Sequence, residues 1–124
     1  MENKQRTPRV LIVDDHFDTA RSYYVGLRLD GYEAEFAVNG YGAIEAARRF
    51  LPEVVILDLA LPDLDGCEIA RVLRREPGLE GTRIVAITGS IREEDHRRAL
   101  EAGCDECLLK PVNPQAMDRI LRRE

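Results

Sequence analysis

Four short aliphatic runs in this 124-residue chain each stop on a residue that can do chemistry. Val10-Leu11-Ile12-Val13 stops on Asp14-Asp15, Val54-Val55-Ile56-Leu57 on Asp58, Ile84-Val85-Ala86-Ile87 on Thr88, and Cys107-Leu108-Leu109 on Lys110. Brought together, three carboxylates repel one another and raise each other's pKa unless they share a cation. A hard divalent ion satisfies them, magnesium best of all, because it takes one or two carboxylates and keeps positions for waters and phosphate oxygens. Thr88 can donate a hydroxyl hydrogen bond, and Lys110 carries a mobile cation on a long stem. These are parts for handling a phosphoryl group, with one carboxylate free to act as a nucleophile.

The elements that must position these side chains can be read from periodicity. Uninterrupted aliphatic runs are strands buried on both faces of a parallel sheet. Asp58 therefore lies at the carboxyl edge of a central strand, where open α/β sheets bind ligands. After the first run, Phe17, Ala20, Tyr24 and Leu27 form one helical face and Gly31 stops the helix. Tyr32 to Val38 alternates apolar residues with Glu33 and Glu35, as a strand nearer the edge does. Ile44, Ala47 and Leu51 mark the next helix, ended by Pro52; Ile69, Val72 and Leu73 mark the one after Gly66. Ile91 to Ala102 reads as a charged amphipathic helix with Ala99 and Leu100 inward, capped by Gly103. Asn113-Pro114 supplies an N-cap and a first-turn proline for a last helix that faces inward with Met117, Ile120 and Leu121.

Five strands alternating with five helices imply an α/β fold: a doubly wound five-stranded parallel sheet with helices on both faces. Right-handed crossovers leave few windings, of which the order 2-1-3-4-5 is the common one. A single domain over 1–124 is expected, with a core from 9 to 123. The balance of 18 basic against 23 acidic residues, net −5, argues against direct binding of nucleic acid. The first residues are polar and the longest apolar run is too short to cross a bilayer, so a cytoplasmic protein with no membrane partner is expected. Cys104 and Cys107 fit a C-x-x-C pattern, but Cys104 follows a helix C-terminus, where the dipole disfavours a thiolate. The arginine pairs at 48–49, 74–75, 97–98 and 122–123 read mostly as helix-end charges, and His16 and His96 as surface residues.

From Val10 to Leu121 the chain resembles the response-regulator receiver domains of two-component signalling, a flavodoxin-like family that includes the chemotaxis regulators. The resemblance rests on Val13-Asp14-Asp15, on Asp58 with Leu61-Pro62-Asp63-Leu64-Asp65-Gly66, on Thr88, on Ala102-Gly103 and on Leu109-Lys110-Pro111. It implies that Asp58 is the phosphoacceptor, attacking a phosphohistidine on a histidine kinase or histidine phosphotransfer protein. It further implies that Asp15 and Asp58 bind magnesium through their side chains, Ala60 through its carbonyl and Asp14 mostly through water. Lys110 would neutralise the transferring oxygens, Thr88 would hydrogen-bond the attached phosphoryl group, and Lys110-Pro111 would be cis. The signal would then pass by a conformational switch to a downstream protein. Three residues before the lysine the family usually carries an aromatic, and here stands Cys107. The surface of the fourth helix, fifth strand and fifth helix is therefore expected to change less on phosphorylation. Ala60 and Ser90 occupy the positions that tune phosphoryl lifetime.

Two other functions use similar parts. An aspartate-nucleophile phosphatase, as in the haloacid-dehalogenase family, needs a second Asp two residues after the nucleophile, where this chain has Ala60. A phosphorylation-independent scaffold on the same fold would be expected to have lost part of the acidic set, which is complete here.

Overall fold

The computed structural model describes residues 8–122. Its elements are β1 (Arg9–Val13), α1 (Phe17–Leu29), β2 (Glu33–Ala37), α2 (Gly40–Phe50), β3 (Val54–Asp58), α3 (Gly66–Arg75), β4 (Arg83–Thr88), α4 (Glu93–Glu101), β5 (Glu106–Leu109) and α5 (Pro114–Arg122). All strand pairs are parallel and the order is β2-β1-β3-β4-β5, as the winding rules lead one to expect. Arg123 of the last arginine pair, and the end of the expected 9–123 core, lie outside the described residues.

Side chains alternate across the three central strands and build two cores. Leu11, Val13, Val55, Leu57, Ile84 and Ala86 pack with the inner faces of α2, α3 and α4. Val10, Ile12, Val54, Ile56, Val85 and Ile87 pack with α1 and α5. This two-sided burial is why the strands read as unbroken aliphatic runs. Their carboxyl ends consequently finish level along one edge, which is what gathers the polar residues that follow them.

Several elements differ in detail from their sequence patterns. β2 is shorter at both ends than Tyr32 to Val38. Leu51 is not on the inner face of α2 but is its C-cap, in the left-handed conformation at φ 50° and 39% exposed; Ala43, Ala46 and Ala47 are the buried positions. Phe17 is half exposed and packs edge-on against Phe36, 5.7 Å between ring centroids. α4 begins at Glu93 and not at Ile91, which is exposed, and Leu100 points outward. Neighbouring residues on a helix lie about 100° apart, so with Ala99 facing the core Leu100 is carried off it. Gly31 stops α1 at φ 94°, and the Asn113 side chain accepts from the Ala116 N–H to cap α5. Arg74 does more than neutralise a helix end: its guanidinium donates to the carbonyls of Gly103 and Thr82 and to the Asp105 carboxylate, joining α3 to the residue before β4 and to the turn between α4 and β5.

Candidate functional site

β3 is the middle strand, and Asp58 is its last residue, 2% exposed. One carboxylate oxygen, Oδ1, accepts the backbone N–H of Ala60 at 2.9 Å, so the chain turning away from the strand fixes the side chain that ends it. The other, Oδ2, accepts from Lys110 Nζ at 2.9 Å, delivered from the end of β5 across β4. The Lys110-Pro111 peptide is cis. From β1 come Asp14, nearly buried, and Asp15, exposed; carboxylate oxygens of Asp14, Asp15 and Asp58 all lie within 4.8 Å of one another. The Asp14 Oδ1 accepts the His16 N–H at 2.9 Å, and the His16 ring caps α1 by accepting from the Thr19 N–H. A cavity of about 420 Å³ opens over this group, lined on its polar side by Asp14, Asp15, His16, Asp58 and Lys110.

Electrostatics show an excess of negative charge. Burial pushes the Asp14 carboxyl above its ordinary value; the His16 N–H works against this and the Asp58 charge adds to it. For Lys110, burial opposes the charged form, but the Asp58 hydrogen bond and charge, with Asp14 and Asp15 behind, hold the ammonium's pKa above the ordinary lysine value. Three carboxylates facing one ammonium leave two negative charges without a protein partner in the cluster. An all-oxygen site with that surplus fits one hard divalent cation.

Thr88 ends β4 and is buried, but it borders the cavity instead of lining it. Its carbonyl accepts the Lys110 N–H at 2.8 Å, and its hydroxyl oxygen accepts the Ser90 N–H at 3.1 Å, which leaves the hydroxyl hydrogen to donate elsewhere. Ala60 is exposed beside Asp58 and pairs with Asp65 in an isolated bridge.

Some functional-looking residues were not legible from spacing. The Asp63 carboxylate accepts the Gly40 and Tyr41 N–H groups at 2.7 and 3.0 Å, so it caps α2 from the loop after β3. These bonds hold its pKa below the ordinary carboxylate value, the Gly40 bond most of all. Asp65 caps α3 through the Cys67 N–H. His96 is half-buried, its Nε2 2.8 Å from the Ser90 carbonyl, and is not a plain surface residue. Only Asp65 carried a local signal, an acid directly before a helix-initiating glycine. The three cysteines are free; burial, then the neighbouring thiols, push Cys104 up to about 12, and burial raises Cys67 and Cys107 as well. Thiols held protonated in this way are poor redox nucleophiles.

A doubly wound sheet with a divalent-cation-type acidic cluster and a lysine at its carboxyl edge defines a receiver-like phosphoryl-handling module. Comparison with known proteins places it: the response regulator receiver domain family matches residues 10–122, and the chain belongs to that family. It is 36% identical over 111 residues to the transcriptional regulatory protein PrrA of Mycobacterium tuberculosis, covering 90% of this chain and 47% of that protein. The chain thus spans about half the length of the curated relatives it matches. Among solved structures it is similar to the chemotaxis response regulator CheY4 of Vibrio cholerae, with a TM-score of 0.86 at 28% identity, covering 95% of this chain and 98% of that one. It is also similar to a Burkholderia pseudomallei response regulator whose crystal structure holds a phosphorylated aspartic acid, a calcium ion and citrate, with a TM-score of 0.82 at 26% identity, covering 91% of this chain and 65% of that one.

Proposed function

We propose that residues 1–124 act as one receiver unit that accepts a phosphoryl group on Asp58 from a phosphohistidine of a histidine kinase or histidine phosphotransfer protein. The observation that carries this assignment is the pairing of a buried Asp58 carboxylate with Lys110 at 2.9 Å inside a three-carboxylate cluster. A carboxylate oxygen of Asp58 attacks phosphorus, the P–N bond breaks, and the imidazole leaves with its electron pair and takes up a proton. An acyl phosphate remains on Asp58. Lys110 is placed to follow the phosphoryl oxygens, exchanging its hydrogen bond to the carboxylate for one to the charge that develops on them. Thr88, with a hydroxyl hydrogen free, is the donor to the attached group.

Magnesium is the cation that suits the cluster: Asp15 and Asp58 would hold it by side chains, Ala60 by its carbonyl and Asp14 through water. When bound, it supplies neutralisation of the transferring oxygens. The chain's own chemistry is limited to catalysing this transfer and the later hydrolysis, in which water attacks phosphorus and returns the Asp58 carboxylate and inorganic phosphate. Ala60 and Ser90 flank that water's approach, and Ala60→Asn is expected to change the dephosphorylation rate. Among the described residues no helix is long and apolar enough to cross a membrane, in keeping with the cytoplasmic placement proposed here.

A phosphatase acting on small esters lacks its general acid at Ala60, and no observation favours the scaffold. The assignment is tested by mixing the protein with a phosphorylated kinase domain and following label from histidine to acceptor. Transfer to wild type but not to Asp58→Asn, lost on chelating magnesium, is the expected result. Transfer unchanged in Asp58→Asn would overturn it.

A further inference from the structure

α1 and α5 pack on the same face of the sheet, and a groove of about 230 Å³ opens between them. Its floor is open because α1 has little to put there: Ser22 and Gly26 are four residues apart on one helical face, and a Cβ added at Gly26 would meet nothing within 4 Å. Its walls are Tyr23, Leu27, Tyr32 and Met117. Tyr23 donates its hydroxyl to the Val112 carbonyl at 3.4 Å, and its ring borders both this groove and the cavity over the acidic cluster. The lining includes two carboxylates, Asp30 and Asp118, and no lysine or arginine. Asp118 accepts from Arg122 at 3.1 Å in an exposed pair within its own helix, a weak kind of pair. The Asp30 side chain has no partner among the described residues. It stands at the C-cap of α1, where the helix dipole opposes a negative charge, and the turn that follows is made by Gly31 at φ 94° without using it. Local forces therefore do not account for the Asp30 charge. A cation brought from outside would.

We propose that the α1–α5 groove seats a single arginine side chain of a partner protein. Its volume suits one side chain and falls below the roughly 300–1,000 Å³ usual for small-molecule and cofactor pockets. A guanidinium answers every part of the lining. Its flat face stacks on a tyrosine ring, its methylene stem lies along Leu27 and Met117, and its N–H groups donate to the carboxylates. Lysine meets the carboxylates as a point charge and has no flat face to stack. Nucleic acid or an anionic membrane surface would set like charge against Asp30 and Asp118. A second copy of the chain joined across a two-fold axis would set one acidic groove against another, in a chain of net charge −5. Asp30 lies at the amino edge of the parallel sheet, opposite the edge that carries Asp58, and none of the phosphoryl-handling residues lines the groove. The seat is therefore separate from the phosphoacceptor site, and the proposal does not depend on that assignment.

Amide chemical shifts test the seat with three capped tripeptides, glycine-X-glycine, in which X is arginine, lysine or citrulline. Citrulline keeps the planar shape of arginine without its charge. The arginine peptide at millimolar concentration is expected to give saturable shifts at Gly26, Asp30, Tyr32 and Asp118, with the lysine peptide several-fold weaker and the citrulline peptide not saturating. Asp30→Asn is expected to weaken arginine binding by about three- to tenfold, as loss of a charge-assisted bond at a partly exposed site does. Gly26→Leu fills the floor while leaving every charge in place, and leucine suits a helix interior better than glycine, so the fold should hold and the melting temperature should not fall. Its saturable shifts are expected to disappear. No saturable shift in wild type, or equal binding of the arginine and citrulline peptides, would overturn the proposal. Undiminished arginine binding in Gly26→Leu would also overturn it, by showing that exposed charge alone attracts the peptide. A concentration-dependent dimer in sedimentation, abolished by Gly26→Leu, would give the groove to a second copy and overturn it too.

Discussion

The two loops that flank Asp58 at the sheet edge differ in how tightly their backbones are packed. The β3–α3 loop is held by carboxylates that accept backbone N–H groups and by close backbone packing. Gly66 N–H donates to the Leu59 carbonyl, Ala60 bridges Asp65, and Asp63 is fastened to the α2 N-terminus by two N–H bonds. A Cβ added at Gly66 would lie 2.6 Å from the Leu59 Cα, so glycine is required there by backbone packing. The β4–α4 loop is held largely by side chains centred on Ser90. A Cβ added at Gly89 would meet nothing within 4 Å, and Ile91 beside it is 83% exposed. One loop holds the acceptor carboxylate and the residue next to it in place. The other has open space around Gly89 and Ile91. Tight and open backbone packing imply different local stabilities, and the fold gives one to each loop.

The largest test of this contrast is Gly66→Ala, because backbone cannot step aside as a side-chain tip can. It is expected to cost about 2–3 kcal/mol in urea denaturation, as overpacking a tight site does. Little or no cost would mean that the β3–α3 loop is not rigid, and the comparison would fail.

Asp14→Asn separates the electrostatics of the site from the loops. Burial and the Asp58 charge raise the Asp14 pKa, so in the fold its charged form is disfavoured and its ionisation at neutral pH costs stability. The substitution keeps an acceptor for the His16 N–H while removing the charge. The melting temperature of the magnesium-free protein should rise by a few degrees, and the further rise that magnesium produces should shrink. A fall in the magnesium-free melting temperature would contradict this.

Asp63 offers a pH test of the rigid loop. Its pKa is held below the ordinary value by the Gly40 N–H, with Tyr41 assisting. The stability it contributes is therefore full above the unfolded carboxylate pKa of about 3.9 and is lost as pH falls through the lower folded value. Asp63→Asn should flatten that part of the acid stability profile. An unchanged profile would show that the bond to α2 contributes nothing. The smallest effect is expected at Gly89→Ala, within about 0.5 kcal/mol of wild type, because the loop has room and alanine restricts the unfolded chain. A cost equal to that of Gly66→Ala would erase the distinction between the loops.

The sheet was legible in the sequence because four of its strands are aliphatic runs, and the site because parallel strands finish level. Any polar residue directly after such a run must share an edge with the others, so Asp14, Asp15, Asp58, Thr88 and Lys110 could be grouped without coordinates. What spacing could not show were partners set by tertiary approach. Asp63 and Gly40 are 23 residues apart, and no periodicity links a loop carboxylate to the start of a preceding helix. Arg74 looked like a helix-end charge because its three acceptors lie on other elements. The start of α4 was misplaced at Ile91 because an apolar residue beside a polar helix suggests an inner face. α4 begins after Arg92, whose N–H the Ser90 hydroxyl oxygen accepts.

The central claim, that Asp58 is a magnesium-dependent phosphoacceptor, is tested most directly by intact-protein mass after incubation with acetyl phosphate and magnesium. A phosphoryl increment on wild type, absent from Asp58→Ala and from wild type with a chelator, is the predicted result. An increment of equal stoichiometry on Asp58→Ala, or none on wild type with any acyl phosphate or phosphohistidine donor, would contradict it.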